Sequence, residues 1–139
     1  MEDGKGSHDM QRNGDVRTLD PVSLAVIGRA LEAIPQEMGA NMLKAAYSSI
    51  VREAKDMSAA LFDAKGQVIG QAEHIPTLLS ALSTALHGAR QLISFAELTP
   101  ENVIITNDPY HGAQHLNDIC LFSPIFRDGK LMGFSASVA

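Results

Sequence analysis

Apolar residues recur every three or four positions between residues 20 and 45. This spacing predicts a helix with one apolar face. The members of the apolar stripe are Leu24, Ile27, Leu31, Ile34, Met38, Met42 and Ala45. Asp20 and Pro21 predict its start, because aspartate caps a first turn and proline suits the first helical position. Pro35 predicts either a kink or a break into two helices, and the methionines are expected to fill gaps in the core.

A first pair of strands and a second helix follow along the chain. Residues 58–63 and 67–71 are short strand-like runs on either side of a Gly-containing turn, which predicts a β-hairpin. Pro76 can open the next helix, which ends within residues 94–99. The apolar positions of that helix are Leu78, Leu79, Leu82, Leu86, Ala89, Leu92 and Ile93.

A middle strand and a second hairpin complete the pattern. Residues 102–106 predict the strand, and residues 119–126 and 130–138 predict the hairpin, because Asp-Gly between them is a strong turn signal. Cys120 lies in a run whose pattern predicts burial on both faces, which favours packing over a nucleophilic role for its thiol. The helices and strands together predict an α+β fold with a mixed or antiparallel sheet.

Composition narrows the class of protein. With 139 residues and 45% apolar content, the chain is long enough to bury a core. A net charge of -5 and a pI near 5.4 argue against nucleic acid or an anionic membrane as the main partner. No apolar run approaches the length of a membrane span. The single cysteine excludes an intramolecular disulfide and suits a reducing compartment, so we expect a cytoplasmic protein.

The two ends of the sequence differ from its middle. Residues 1–17 are rich in Gly, Asp and Lys and are expected to form a disordered tail, in which His8 is solvated. Residues 18–139 are expected to form an incomplete domain, because the chain stops at Ala139 in a predicted strand without a closing element.

The polar loop between the middle strand and the second hairpin carries the candidate chemistry, since scaffolds often present functional groups on such loops. His115 and Asp118 are three residues apart, so one helical or turn-like winding aims both side chains the same way. An imidazole and a carboxylate make half of a divalent-metal site. His111 could be a third ligand, although a Gly-Ala pair interrupts any regular helix between it and His115. A surface loop without a metal is equally compatible with this pattern.

Two further groups are candidate catalytic residues. Asp108 lies in Asn-Asp-Pro, a sequence that is also typical of an Asx-type turn. His74 lies in the loop that follows the first hairpin, whereas His87, inside the second helix, is more typical of a structural histidine.

Several stretches, in the same order, resemble the hydantoinase B family. They are Glu53 with D-M-S-A-A-L-F-D at 56–63 and Gly66, Q-A-E-H-I-P at 71–76, N-D-P-Y-x-G-x-x-H-L-x-D at 107–118, and P-I-F at 124–126. The family includes the B subunit of N-methylhydantoinase, the C-terminal part of 5-oxoprolinase and the large subunits of acetone and acetophenone carboxylases. The resemblance runs from about residue 20 to residue 139 and covers only the N-terminal portion of such proteins.

The resemblance implies an ATP-dependent hydrolase of cyclic amides such as hydantoins or lactams, and we expect an oligomer. A hydantoinase A-like partner would bind ATP, which agrees with the lack of any phosphate-binding loop motif in this sequence. In the carboxylase branch, the resemblance implies a divalent metal held by the histidine and aspartate of an H-L-x-D motif and by a further histidine. Here His115 and Asp118 would hold the metal, Mn²⁺, Fe²⁺ or Zn²⁺, and the further histidine would fall beyond Ala139. The carboxylase branch and a non-catalytic fragment are the alternatives.

This sequence departs from the family pattern at two places. Leu78 stands where many members have a histidine, and Gly112-Ala113-Gln114-His115 replaces G-G-T-H. Both departures bear on the class of substrate, and the pair expected to hold the metal is intact.

Overall fold

The computed structural model describes residues 20–72 and 76–139 and confirms the predicted α+β fold. The predicted tail at residues 1–17 and the candidate His74 lie outside the described residues. The helices and strands are α1 (Pro21–Ala45), β1 (Ser58–Asp63), β2 (Val68–Gln71), α2 (Pro76–Leu92), β3 (Ile104–Thr106), β4 (Cys120–Arg127) and β5 (Lys130–Val138). Short helices also occur: a π-helical turn at Ile50–Ala54 and 3-10 turns at Phe95–Glu97 and Pro109–His111.

Five strands form one antiparallel sheet in the order β2-β1-β5-β4-β3. The two predicted hairpins are present, and Asp128 and Gly129, with φ of 51° and 73°, make the turn of the second one. The hairpins join along β1 and β5, in a register that begins with Ser58 opposite Val138. Segments far apart in sequence therefore become neighbours at the centre of the sheet.

α2 packs across one face of the sheet and buries the main apolar core. From the sheet, Phe62, Phe122 and Phe134 are each at most 1% exposed, and the rings of Phe62 and Phe122 meet edge-on with centroids 6.3 Å apart. The contributions of α2 are Leu78, Leu82, Ala85, Leu86 and Ala89. Full burial of a large apolar side chain contributes about 1.5–3 kcal/mol, so this face holds most of the apolar stabilisation.

α1 is one continuous helix of 25 residues, so the alternative of a break at Pro35 is wrong. The helix lies against β1 and β2 on the sheet face opposite α2. Gly70 permits this contact, because a Cβ there would lie 2.6 Å from the Leu31 carbonyl oxygen. Pro35 and Gly39 are the buried residues of α1, so the helix is anchored to the sheet through its second half.

Much of the apolar stripe of α1 is exposed. Leu24 is 59% exposed, and Ile27 and Ile34 are each 43% exposed. A helix of this length extends about 38 Å, whereas a strand as short as β1 extends about 20 Å, so part of the stripe lies beyond the sheet. Met38 and Met42 are half-buried, which agrees only in part with their expected role as core gap-fillers.

β4 is buried on one face only, so the prediction of burial on both faces around Cys120 is wrong. Cys120, Phe122 and Pro124 are buried, while Leu121 and Ile125 are exposed. The reason is that α2 covers one face of the sheet, whereas α1 packs mainly against β1 and β2 on the other. No helix in the described part of the chain has the length and hydropathy needed to cross a membrane.

Candidate functional site

The segment after β3 is a tightly hydrogen-bonded turn. Asp108 Oδ1 accepts a hydrogen bond from the Tyr110 N–H at 2.9 Å, and the Asp108 carbonyl oxygen accepts one from the His111 N–H at 3.1 Å. Asn107 Nδ2 donates to the Leu116 carbonyl oxygen at 2.7 Å, which ties the start of the loop to its far side. The predicted Asx-type turn is therefore present.

Two glycines bring this turn into direct contact with α2. A Cβ at Gly88 would lie 1.9 Å from the His111 carbonyl oxygen, and a Cβ at Gly112 would lie 2.4 Å from the Thr84 carbonyl carbon. Gly112 also has a φ of 105°, which favours glycine. Thr84 Oγ1 donates to the Gly112 carbonyl oxygen at 2.8 Å. The loop is thereby fixed on the helix.

The structure brings His115 and Asp118 together. His115 Nδ1 and Asp118 Oδ2 are 2.9 Å apart, and the Asp118 N–H donates to the His115 carbonyl oxygen at 3.2 Å. The side chain of His115 is 68% exposed and that of Asp118 is 17% exposed. His115 Nε2 and Asp118 Oδ1 have no hydrogen-bond partner among the described residues, so each is available to a ligand.

Asp56, which was not singled out as a site residue from the sequence, lines the same cavity as this pair. The cavity has a volume of ≈ 370 Å³, and its lining residues are Ser48, Ile50, Val51, Asp56, His115, Asn117, Asp118 and Ala139. Asp56 follows Lys55, whose φ of 56° ends the π-helical turn. Non-glycine residues with positive φ and π-helical turns both occur often at functional sites, but neither is readable from the sequence.

The donor types at this cavity fit a divalent cation, since imidazole nitrogen and carboxylate oxygen are ligands of Mn²⁺, Fe²⁺ and Zn²⁺. Within residues 20–72 and 76–139, however, no three His, Cys, Asp or Glu side chains lie close enough together to hold a metal. The structure therefore supplies two adjacent donors, at a cavity that Asp56 also lines.

His111, predicted as a possible third ligand, pairs with Asp108 instead. Its Nδ1 lies 2.6 Å from Asp108 Oδ2. Two hydrogen bonds hold the pKa of the Asp108 carboxyl below its ordinary value. The larger effect comes from the bond with His111, and the smaller from the bond with the Tyr110 N–H. The two residues have the same three-residue spacing as His115 and Asp118, which is the signal that could have predicted this pair from sequence.

Cys120 lies two residues after Asp118 and is fully buried. Burial raises the pKa of its thiol to about 11, and the nearby negative charge of Asp118 adds to the effect. A thiol that stays protonated at neutral pH is a poor nucleophile. Cys120 therefore acts as packing, as its surroundings in the sequence suggested.

Known proteins share both sequence and fold with this chain. The B subunit of a putative D-/L-hydantoinase from Pseudomonas sp. strain NS671 is 34% identical over 128 residues, which are 90% of this chain and 22% of that protein. The crystal structure of the ATP-dependent caprolactamase from Pseudomonas jessenii matches with a TM-score of 0.79 and 34% identity, over 88% of this chain and 21% of that one. An acetone carboxylase structure has the same fold, with a TM-score of 0.77 and 22% identity over 86% of this chain and 16% of that one.

This chain corresponds to only a part of each protein that it matches. It spans between 9% and 22% of the length of the curated relatives it matches. The family profile described as Hydantoinase B/oxoprolinase matches residues 20–139. These residues include both Asp–His pairs, the whole sheet and both long helices, and the chain belongs to the hydantoinase B/oxoprolinase family.

Proposed function

We propose that this chain supplies part of the metal-binding subunit of an ATP-dependent enzyme that hydrolyses a cyclic amide. The observation that carries the proposal is the contact between His115 and Asp118, 2.9 Å apart at a cavity and within the H-L-N-D stretch. Identity of 34% with one chain of a hydantoinase and with a lactam hydrolase supports the same class of reaction.

His115 and Asp118 would hold a divalent cation, Mn²⁺, Fe²⁺ or Zn²⁺, at the cavity that Asp56 also lines. When bound, such an ion polarises a carbonyl group or activates water for hydrolysis. His115 Nδ1 and Asp118 Oδ2, which are 2.9 Å apart, would be the two donor atoms, and the ion would replace the proton that they share. Asp108 and the undescribed His74 remain the candidate catalytic residues predicted from sequence.

ATP would be bound by a separate A-type subunit. The sequence contains no phosphate-binding loop motif. Two relatives are named as the B subunit of a hydantoinase and the beta subunit of a caprolactamase, and these names imply a second subunit. The substrate would be a hydantoin-like or lactam-like ring. A cytoplasmic location and oligomeric assembly remain predictions from the sequence.

The carboxylase branch is the second candidate function. It shares the fold, but at 22% identity the likeness to acetone carboxylase carries no argument about the reaction. The 34% identity to the caprolactamase structure therefore favours hydrolysis.

Metal binding tests the proposal directly. We expect the wild-type chain to bind Mn²⁺ weakly in calorimetry and electron paramagnetic resonance, because two protein donors leave the remaining coordination positions to water. His115→Ala and Asp118→Ala should weaken the affinity at least about tenfold, because each removes one of the two donors. The matched controls are His87→Ala on α2 and Asp128→Ala in the second hairpin turn, and neither should change the affinity. Wild-type affinity in both site variants would refute the assignment.

A further inference from the structure

His111, the partner of Asp108, lines a second cavity. This cavity has a volume of ≈ 440 Å³, and its lining residues are Gly66, Ser83, Thr84, His87, Gly88, Gln91, Tyr110, His111 and Gly112. It shares no described lining residue with the cavity at His115 and Asp118. The loop thus contributes one histidine to each of two separate cavities.

Asp108 fixes the orientation of the His111 imidazole. Its Oδ2 lies 2.6 Å from His111 Nδ1, while its Oδ1 is held by the Tyr110 N–H. An ionised carboxylate can only accept hydrogen bonds, so His111 Nδ1 is the donor. In the neutral ring, Nε2 then carries the free lone pair and acts as a hydrogen-bond acceptor.

α2 holds this pair in place. The backbone of His111 lies against Gly88, and Gly112 lies against Thr84, at distances that leave no room for a Cβ at either glycine. The hydrogen bond from Thr84 to the Gly112 carbonyl oxygen fixes the same contact. An acceptor on a rigid support loses little conformational entropy when it binds a ligand.

The lining of the cavity indicates the kind of ligand. Its lining residues include four with hydroxyl, amide or imidazole side chains, namely Ser83, Tyr110, Gln91 and His87. Among the described residues that line it, none is Lys, Arg, Asp or Glu, so no full charge selects an ion. A cavity of this size suits a small molecule, and the free acceptor requires that the molecule present an N–H or O–H group.

We propose that Asp108 and His111 form a second binding site, in which His111 Nε2 accepts a hydrogen bond from the N–H of a small, neutral cyclic amide. Asp108 is the positioning residue, because it sets the tautomer and the direction of the ring. The choice of a cyclic amide, rather than another neutral N–H compound, rests on the proposed function.

Nitrogen NMR of the histidine side chains in the whole chain tests this site. In its neutral form, His111 should carry its proton on Nδ1, facing the Asp108 carboxylate. Titration with 2-pyrrolidone should shift the Nε2 resonance of His111. N-methyl-2-pyrrolidone, which has the same ring without an N–H group, should leave it unchanged. Equal responses to the two lactams, or a proton on Nε2 in the free protein, would overturn the proposal.

Asp108→Asn supplies the matched variant. Asparagine retains an oxygen that can cap the turn, but its amide NH₂ can donate a hydrogen bond to His111 Nδ1. The ring proton then moves to Nε2, which can no longer accept a hydrogen bond. The affinity for 2-pyrrolidone should fall about tenfold, as expected for the loss of one hydrogen bond, and an unchanged affinity would contradict the role of Asp108. Asp128→Asn, the same change in the exposed turn of the second hairpin, should bind 2-pyrrolidone as the wild type does. If the chain binds Mn²⁺ but the Nε2 resonance of His111 does not respond to 2-pyrrolidone, this inference is wrong and the proposed function still stands.

Discussion

Single glycines decide how closely the site loop approaches the fold. A Cβ at Gly88 on α2 would meet the His111 carbonyl oxygen, whereas a Cβ at Gly28 on α1 would have no atom within 4 Å. Helix propensity disfavours glycine equally at both positions. Only at residue 88 does a tertiary contact require it, so the two positions should respond to substitution in opposite directions.

Gly88→Ala should lower the free energy of unfolding by about 1–3 kcal/mol, because the new methyl group must displace the loop backbone. Gly28→Ala, the matched control in the other helix, should raise it by about 0.5–1 kcal/mol through better helix propensity. Urea unfolding followed by circular dichroism measures both changes. A gain in stability for both variants would show that the loop is not held against α2.

The buried thiol of Cys120 predicts a pH dependence of stability. Its pKa is raised from 9.0 to about 11, so in that range the unfolded chain ionises its thiol while the folded chain keeps the proton. The thiol therefore causes stability to fall as pH rises through this window, by up to about 1.4 kcal/mol per pH unit. Below about pH 9 the thiol is protonated in both the folded and the unfolded chain, so it does not make stability depend on pH. The free energies of unfolding of wild type and Cys120→Ala, measured in urea, should depend differently on pH only above about pH 9. The same pH dependence for both proteins above pH 9 would contradict this prediction.

At the scale of the elements, the two long helices have different roles although both carry an apolar stripe. Leu82 of α2 is fully buried against the sheet, whereas Leu24 of α1 is 59% exposed. Helical periodicity predicted both helices, because it depends on positions only three or four residues apart. It could not predict how much of each stripe the short strands would cover, since that depends on elements far away in the sequence.

Leu82→Ala should cost about 2–5 kcal/mol of stability, because it leaves a cavity in the core beneath α2. Leu24→Ala makes the same chemical change on an exposed face and should cost less than about 1 kcal/mol. Chemical denaturation of the two variants under identical conditions provides the comparison. A similar cost for both would mean that the stripe of α1 is covered in solution.

At the scale of the whole molecule, strand pairing assembles the cavity at His115 and Asp118. Val138 at the end of β5 lies opposite both Ser58, which begins β1, and Cys120, which begins β4. Asp56 and Asp118 each precede one of these strand starts by two residues, so they arrive at the same end of the sheet. The two carboxylates are far apart in the sequence, so the sequence alone does not predict that they lie at the same end of the sheet.

Local sequence determined the types and order of the elements, both hairpins, the Asx-type turn and the contact between His115 and Asp118. Each of these depends on residues within one turn or one hairpin of each other. Tertiary structure alone decided that Asp56 lines the cavity of that pair, that His111 faces a different cavity on α2, and that the stripe of α1 is largely exposed. The pairing of β1 with β5 and the packing of α2 create these relations, and they join residues whose separation along the chain leaves no periodic signal.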